Sequence, residues 1–213
     1  MNVIIFGPPG AGKGTQTQHI VKKFKLFQIS TGDLLRDEIK NKSEIGKVIE
    51  NIISKGGFAT DDIVNELIKK TVTNPIYRNN IVFDGYPRNI NQAKNLDIIL
   101  NSDNQNIDFV IFLNVSRDTL EKRILGRIAC EKCNKIFNEY LDKKIIENHE
   151  CGKNYLIRRK DDNIEVLVNR YDEYVNKTKP VLEFYSSSSY FYEIDGDDKI
   201  DVIAGKIEQI LSL

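Results

Sequence analysis

A glycine-rich segment near the start of the chain combines residue types that suit phosphate binding. Residues 7–15, GPPGAGKGT, follow an apolar run and precede a segment with helical spacing. The glycines let backbone N–H groups converge on phosphate oxygens, the helix N-terminus adds positive potential, and Lys13 adds a compact cation. Gly14 occupies the position at which Ser or Thr usually follows the lysine, and Thr15 comes one residue later. We therefore predict a phosphate-binding loop in which Thr15 assists Mg²⁺ less directly than usual.

An acid and two arginines suit a second phosphate site. Asp84 ends a predicted strand, where a parallel sheet exposes its ligand groups, and its carboxylate can organise Mg²⁺ through waters. Arg88 follows the turn after Asp84, and Arg36 lies on a predicted helix. Both guanidinium groups suit bidentate binding of an acceptor phosphate. A turn-forming Asp-Gly pair and solvated arginines are the simpler interpretation of the same residues.

The three cysteines lie in one segment of the chain. Cys130 and Cys133 have the spacing of half a zinc knuckle, and Cys151 fits the second half. An odd number of cysteines in a chain of this size argues against a secreted disulfide framework. Reduced thiols or a metal site are the two remaining interpretations.

These candidate residues need elements that bring them to one edge of a sheet. Short apolar runs typical of buried strands alternate with amphipathic segments typical of helices. The predicted strands cover residues 3–6, 27–29, 81–83, 109–113 and 191–194. This alternation predicts an α/β fold with a largely parallel central sheet. Residues 31–59, predicted as two helical pieces, and residues 127–159, with weak periodicity, are interpreted as insertions.

Composition limits the class of protein. The 213 residues are 40% apolar and 29% charged, which suits one globular core with small insertions. Thirty-one basic residues balance thirty-one acidic ones, so no broad basic field favours nucleic acid or anionic lipid. We find no secretory signal pattern and no apolar run that could span a bilayer. We expect a monomeric cytoplasmic protein with no membrane or nucleic-acid partner.

The motifs together resemble those of the nucleoside monophosphate kinases, in particular the adenylate kinase family. The matching strings are GPPGAGKGTQ at residues 7–16, STGDLLR at 30–36 and DGYPR at 84–88, with Gln92 following. The cysteine-bearing insertion resembles the long-lid, zinc-bearing form of that family, and the likeness runs nearly end to end. The resemblance implies a P-loop three-layer fold and reversible transfer of the terminal phosphoryl group of MgATP to AMP, giving two ADP.

The resemblance also implies three parts and a set of site residues. The core would comprise residues 1–29, 60–126 and 160–213, with a monophosphate-binding insertion at 30–59 and a lid at 127–159. The implied catalytic residues are Lys13, Asp84, Arg88, Arg123, Arg159 and Arg170. The implied ATP-binding residues are Gly10, Ala11, Gly12, Lys13, Gly14, Thr15, Arg123, Arg127 and Asp198. The implied AMP-binding residues are Thr31, Arg36, Gly57, Phe58, Ala59, Gly85, Tyr86, Pro87, Arg88, Gln92, Arg159 and Arg170.

Three details qualify these assignments. The adjacent Arg158 and Arg159 leave a one-residue ambiguity, which we resolve toward Arg159 by counting back from residues 160–162. Gln92 suits adenine because its amide has a donor and an acceptor in one plane. Pro87 follows a peptide bond whose isomer the sequence does not decide.

The predicted zinc site departs from the pattern of the lid that it resembles. Asn148 stands where that pattern usually has a cysteine, and an amide is a poor zinc ligand. The adjacent His149 is the better candidate. We predict a structural Cys3His site made by Cys130, Cys133, His149 and Cys151, and a metal-free lid with three reduced cysteines is the rival interpretation.

Three other functions would use some of the same motifs. A related kinase that uses GTP as donor is the close rival. A GTP-dependent switch needs an Asn-Lys-x-Asp motif, and the nearest string, at residues 176–179, lacks the carboxylate and lies in a predicted helix. A zinc-knuckle protein that binds nucleic acid would need a basic surface, which the balanced charge does not favour.

Overall fold

A central parallel sheet organises the protein. The computed structural model describes residues 1–54, 59–133, 135–158 and 162–213. The five strands of this sheet are β1 (Asn2–Phe6), β2 (Phe27–Ser30), β3 (Ile81–Asp84), β4 (Phe109–Asn114) and β8 (Phe191–Asp195). They pair in the order β2-β3-β1-β4-β8, and all four pairings are parallel. The predicted strands and the α/β class are confirmed.

Helices cover both faces of this sheet. The helices outside the lid are α1 (Lys13–Phe24), α2 (Thr31–Lys40), α3 (Glu44–Ser54), α4 (Asp61–Val72), α5 (Ile90–Ser102), α6 (Arg117–Leu125), α8 (Ile164–Glu173), α9 (Lys179–Ser186) and α10 (Ile200–Leu211). A π-helical turn, Tyr174–Thr178, joins α8 to α9. None of the described helices combines the length and the apolar character that crossing a bilayer requires.

Successive residues of β1 are buried on opposite faces of the sheet, which makes three layers. Ile4 belongs to an apolar cluster that includes Ile68 of α4 and Leu96 of α5. Val3 belongs to a second cluster, with Ile207 of α10. Because both faces are covered, β1 needs apolar residues at every position except its first, instead of an alternating pattern.

The first insertion contains the two predicted helical pieces, α2 and α3. Helix α2 follows β2 directly, and the Ser30 hydroxyl caps it by accepting a hydrogen bond from Asp33 N. The two helices pack against each other. Residues 55–58, near the end of this insertion, lie outside the described residues.

The second insertion is more regular than its sequence pattern predicts. It contains β5 (Arg127–Cys130), β6 (Ile136–Asn138), the short helix α7 (Lys143–Glu147) and β7 (Leu156–Ile157). The three strands form an antiparallel sheet in the order β6-β5-β7. Strands of two to four residues are too short to give a readable alternation, which explains why the sequence predicts no elements there.

Candidate active site

The carboxyl ends of β1 and β3 open into a cavity of about 1090 Å³. Ligands of open parallel sheets bind at this edge of the sheet. The wall combines residues of the phosphate loop, of helices α2 and α6, of the antiparallel lid sheet and of the segment after β8. Parts of the chain that are distant in sequence therefore face one volume.

The loop before α1 depends on glycine at positions where a side chain is not tolerated. Gly10 and Gly12 have positive φ angles of 84° and 93°. A Cβ at Gly10 would lie 2.7 Å from Cγ1 of Ile124 on α6, so glycine also lets the loop approach that helix. Helix α1 begins at Lys13, and its N-terminus therefore lies at the cavity, where it favours an anion.

Lys13 and Asp84 carry opposite charges in this cavity. Lys13 Nζ donates hydrogen bonds to the carbonyls of Gly7, at 2.7 Å, and Pro8, at 2.9 Å. Burial lowers the pKa of Lys13 to about 7, an effect that the attraction of Asp84 opposes and the repulsion of Arg88 reinforces. An anion bound beside Lys13 would favour the protonated form.

The carboxyl group of Asp84 is held at the end of β3. Burial raises its pKa, and the positive charge of Lys13 opposes that rise. Gln28 Nε2 donates a hydrogen bond of 3.0 Å to Asp84 Oδ2. A Cβ at Gly14 would lie 3.6 Å from the same oxygen, so the carboxylate is close to the first turn of α1.

The turn after Asp84 holds two residues assigned to the acceptor phosphate and base. Gly85 has a φ angle of 75°, and its carbonyl accepts hydrogen bonds from Thr31 Oγ1, at 2.8 Å, and Arg88 Nε, at 2.7 Å. The Tyr86–Pro87 peptide bond is cis. Burial, followed by the charge of Arg170, lowers the pKa of Arg88 to about 10. The guanidinium of Arg88 is thus held close to both Lys13 and Arg170.

Several residues assigned to the acceptor nucleotide have protein partners. Arg36 lines the cavity and forms an ion pair with Asp33, one turn earlier on α2. Thr31 and Gln92 are 3% and 2% exposed, and neither is among the described residues that line the cavity. Tyr86 is 1% exposed, and its hydroxyl donates to Asn65 Oδ1 at 2.9 Å. The side chain of Tyr86 is therefore a core group.

The remaining assigned residues fall into three groups. Arg170, Gly10 to Thr15, Gly85 and Pro87 line the cavity, together with Arg123, Arg127 and Asp198. Ala59 is buried at 6% exposure. Gly57, Phe58 and Arg159 lie outside the described residues.

The arginines near the lid differ in their partners. Arg123 Nη1 donates to the carbonyl of Ala11 at 3.2 Å, which brings α6 to the phosphate loop. Arg127 forms a two-point ion pair with Asp162, and its Nε lies 2.8 Å from Asp162 Oδ2. The guanidinium of Arg127 thus already binds a carboxylate at the base of the lid.

Asp198, after β8, accepts a hydrogen bond of 2.7 Å from Lys206 Nζ.

The lid also brings together the four predicted metal ligands. The ligand atoms of Cys130, Cys133, His149 and Cys151 all lie within 4.8 Å of one another. A zinc tetrahedron with the usual bond lengths separates two sulfurs by about 3.8 Å and a sulfur from a nitrogen by about 3.6 Å. Cys133 Sγ lies 3.6 Å from His149 Nε2. The donor set and its spacing fit a closed, structural zinc site.

The structure also distinguishes His149 from its neighbour. Asn148 Nδ2 donates a hydrogen bond of 2.9 Å to the carbonyl of Lys144 on α7. The His149 ring instead packs edge-on against Phe137 of β6, with ring centroids 4.9 Å apart, and faces the cysteines. The amide of Asn148 is committed to the helix end, and the imidazole is available as the fourth ligand.

Comparison with known proteins gives the family. The family model for adenylate kinase matches residues 5–190. The chain is 59% identical over 213 residues to an adenylate kinase of Pelagibacter ubique, with both chains covered completely. It is 37% identical over 212 residues to an adenylate kinase of Thermosipho melanesiensis and 39% identical over 215 residues to one of Rickettsia bellii, each covering at least 99% of both chains.

The chain belongs to the adenylate kinase family. This confirms the resemblance, the P-loop fold class and the prediction of a nucleoside monophosphate kinase. The activity of the family is reversible phosphoryl transfer from ATP to AMP. The phosphate loop, Asp84, Arg88, Arg123, Arg127 and Arg170 line one cavity.

Sequence reasoning missed the acceptors and donors that hold the adenylate kinase site in place. Gln28 contacts Asp84, Asp61 contacts Gln92, and Asp162 contacts Arg127. Each pair is separated by 31 to 56 residues. The sequence carries a weak signal only for Asp61, because Thr-Asp-Asp at residues 60–62 before an apolar run is typical of a helix start. That signal indicates helix capping and not a contact with α5.

Proposed function

We propose that this enzyme transfers the terminal phosphoryl group of MgATP to AMP with Lys13, Arg88 and Arg170 as the central cations. The observation that carries the proposal is their convergence: Arg88 and Arg170 both act electrostatically on Lys13, and all three line one cavity. Phosphoryl transfer needs little covalent chemistry from the protein. It needs donor and acceptor held in line and the charge of the transferring group compensated.

The donor nucleotide is assigned to the phosphate loop side. Residues 10–15 and the N-terminus of α1 would surround its phosphates, with Lys13 as the compact cation. Arg123, anchored on the Ala11 carbonyl, lies next to that loop. Asp198, at the cavity edge after β8, is proposed to contact the donor base through backbone atoms.

The acceptor nucleotide is assigned to the α2 and β3 side. Arg36 and Arg88 are proposed to bind its phosphate, which for Arg36 means exchanging Asp33 for the ligand. The backbone of residues 57–59 and 85–88, with Thr31 and Gln92, is proposed to surround its sugar and base. Arg159 and Arg170 would neutralise the transferring phosphates.

The lid is proposed to exclude water from the transferring group. Ala129 of β5 and Ile136 and Phe137 of β6 line the cavity, so the lid contributes apolar groups to its wall. Water in the site would hydrolyse the donor. We propose the division into a core at residues 1–29, 60–126 and 160–213, an insertion at 30–59 and a lid at 127–159.

Two metals belong to the proposal. Mg²⁺ bound with ATP would be organised by Asp84 through waters, with Thr15 nearby, and would neutralise phosphate charge. Zn²⁺ would be held by Cys130, Cys133, His149 and Cys151. Four protein ligands leave no open position, so zinc would stabilise the lid and take no part in the reaction.

We also propose that the enzyme is a cytoplasmic monomer acting on ATP, AMP and ADP. Its balanced charge supports the absence of nucleic-acid and membrane partners.

A coupled assay tests the proposal. Purified protein is given AMP, GMP, CMP or UMP as acceptor, first with ATP and then with GTP as donor. We expect turnover with ATP and AMP to exceed every other pair by at least tenfold. Preference for GTP would identify the rival donor, and the absence of turnover with AMP would refute the proposal.

A further inference from the structure

Asp61 connects the end of the first insertion to the start of α5. It is the first residue of α4, and its Oδ1 accepts hydrogen bonds from Asn89 Nδ2, at 2.8 Å, and Gln92 Nε2, at 2.7 Å. Asn89 is the N-cap of α5 and accepts a hydrogen bond from Gln92 N. One carboxylate thus fixes both polar side chains at this helix start.

The amide of Gln92 is held from two sides by partners with opposite roles. Its Nε2 donates to Asp61, and its Oε1 accepts from the backbone N–H of Arg88 at 2.7 Å. A carboxylate cannot donate a hydrogen bond, and a backbone N–H cannot accept one. If the amide were flipped, its NH2 group would face the N–H of Arg88 and its oxygen would face the carboxylate of Asp61, and neither hydrogen bond could form. Only the observed orientation therefore satisfies both partners.

The fixed orientation determines what Gln92 offers to a ligand. Each end of the amide retains one further capacity, a second N–H on Nε2 and a second lone pair on Oε1. A 6-aminopurine presents a ring acceptor beside an amino donor, whereas a 6-oxopurine presents a ring donor beside an oxygen acceptor. An amide that cannot flip can match one of these edges and not the other.

We infer that Asp61 is a positioning residue that locks the donor and acceptor order of Gln92 and so sets the preference of the acceptor site for a 6-aminopurine over a 6-oxopurine. This inference rests on the proposed function, in which Gln92 contacts the acceptor base. The supporting observation is the pair of opposed hydrogen bonds to one buried amide.

The test compares Asp61→Asn and Asp61→Ala with Asp62→Ala. Asp62 is an exposed acid in the same first turn of α4, so its variant controls for loss of charge at the helix start. For each protein, kcat and KM are measured with AMP and with IMP as acceptor, and KM is measured for ATP. Thermal unfolding shows whether each variant is folded.

Asp61→Ala should raise KM for AMP at least tenfold and leave KM for ATP within twofold. It should also lower the AMP-to-IMP ratio of kcat/KM at least tenfold. Asp61→Asn should have a smaller effect in the same direction, because its oxygen can still accept but its amide can turn. Asp62→Ala should match the wild type. If Asp61→Ala does not fold, the isosteric Asp61→Asn decides the outcome.

A double-mutant cycle separates the inference from the proposed function. If Asp61 acts through Gln92, the AMP-to-IMP ratio of Asp61→Ala/Gln92→Ala should equal that of Gln92→Ala within twofold. An unchanged ratio in both Asp61 variants, with Gln92→Ala impaired for AMP, would overturn this inference alone. A wild type that does not phosphorylate AMP would instead refute the proposed function, and a Gln92→Ala variant with normal KM for AMP would refute the role of Gln92.

Discussion

At the scale of single residues, Lys13 and Asp84 form the electrostatic centre of the cavity. Burial disfavours the charge of each, so the pKa of Lys13 falls to about 7 and the pKa of Asp84 rises, while their mutual attraction opposes both changes. Arg88 and Arg170 add positive charge nearby. The positive charge around Asp84 therefore favours negatively charged phosphate groups in the cavity.

Lys13→Ala should lower kcat at least a hundredfold, which corresponds to roughly 3 kcal/mol of transition-state stabilisation. Arg88→Ala should lower kcat by a similar factor. Steady-state assays check both values, and thermal unfolding should show little loss of stability. Lys22→Ala, an exposed lysine on α1, is the matched control. Near-normal turnover in a folded Lys13 or Arg88 variant would contradict the assigned role.

Nucleotide binding should take up a proton above neutral pH. The free site holds Lys13 with a pKa of about 7, so most of the amine is neutral at pH 8. A bound phosphate raises that pKa, so a non-hydrolysable ATP analogue should take up nearly one proton at pH 8 and much less at pH 6. Calorimetry in buffers of different ionisation enthalpy measures the uptake.

The proton uptake at pH 8 should be absent in Lys13→Met, which keeps the unbranched apolar part of the side chain without the amine. Equal uptake in the wild type and in this variant would assign the proton to another group.

At the scale of elements, the lid depends on few residues for its shape. Its three strands are short, and Cys130, at the end of β5, is the most deeply buried of its cysteines. Four ligands from two segments, Cys130 with Cys133 and His149 with Cys151, would therefore supply much of the stabilisation that a small antiparallel sheet cannot obtain from apolar burial.

Purified protein should contain about one Zn²⁺ per chain. Cys130→Ser and His149→Ala should lose most of it, whereas Asn148→Ala, the adjacent control, should retain it because Asn148 bonds to α7. Elemental analysis measures the zinc, and hydrogen exchange should show the lid loosening before the sheet of the core. Wild type without metal after zinc supplementation would refute the site, and zinc retained in His149→Ala would change its fourth ligand.

The sequence predicts the elements of the core better than those of the lid. Residues 3–6 and 81–83 are apolar runs bounded by glycine or by polar residues, so their strands are readable without partners. Strand β7 has two residues and exists only because β5 lies beside it. Local pattern carries no information about such pairing.

The same distinction applies to the site. Lys13 and its glycines are adjacent in sequence, and spacing alone identifies them. The contact between Asp61 and Gln92 depends on how α4 and α5 pack, and no spacing rule relates two positions on different helices. The neighbours that orient the functional groups are therefore the part of the site that sequence reasoning misses.

At the scale of the whole molecule, one cavity is shared by the core, the first insertion and the lid. Its wall includes Gly12 of the phosphate loop, Arg36 of α2 and Phe137 of β6. A ligand that contacts several parts of the wall binds only when those parts are folded together. Its binding should therefore increase the free energy of unfolding of the whole protein.

Thermal unfolding should therefore depend on both nucleotides. A non-hydrolysable ATP analogue and AMP, each at about 100 times its Kd, should each add about 2.7 kcal/mol, and together they should raise Tm more than either alone. Scanning calorimetry measures the three Tm values. A Tm with both ligands no higher than with one would show that the two nucleotides compete for a single subsite.

The two ends of the lid are joined by direct contacts. Arg127, where the chain enters, pairs with Asp162, where it returns, and Arg158 Nη1 donates to the Leu125 carbonyl at 2.8 Å. The two ends are therefore adjacent, and both lie next to the end of α6 and the start of α8. Loss of the proposed zinc ion should therefore loosen the lid but leave its two ends joined, because none of the four proposed ligands belongs to the Arg127–Asp162 ion pair.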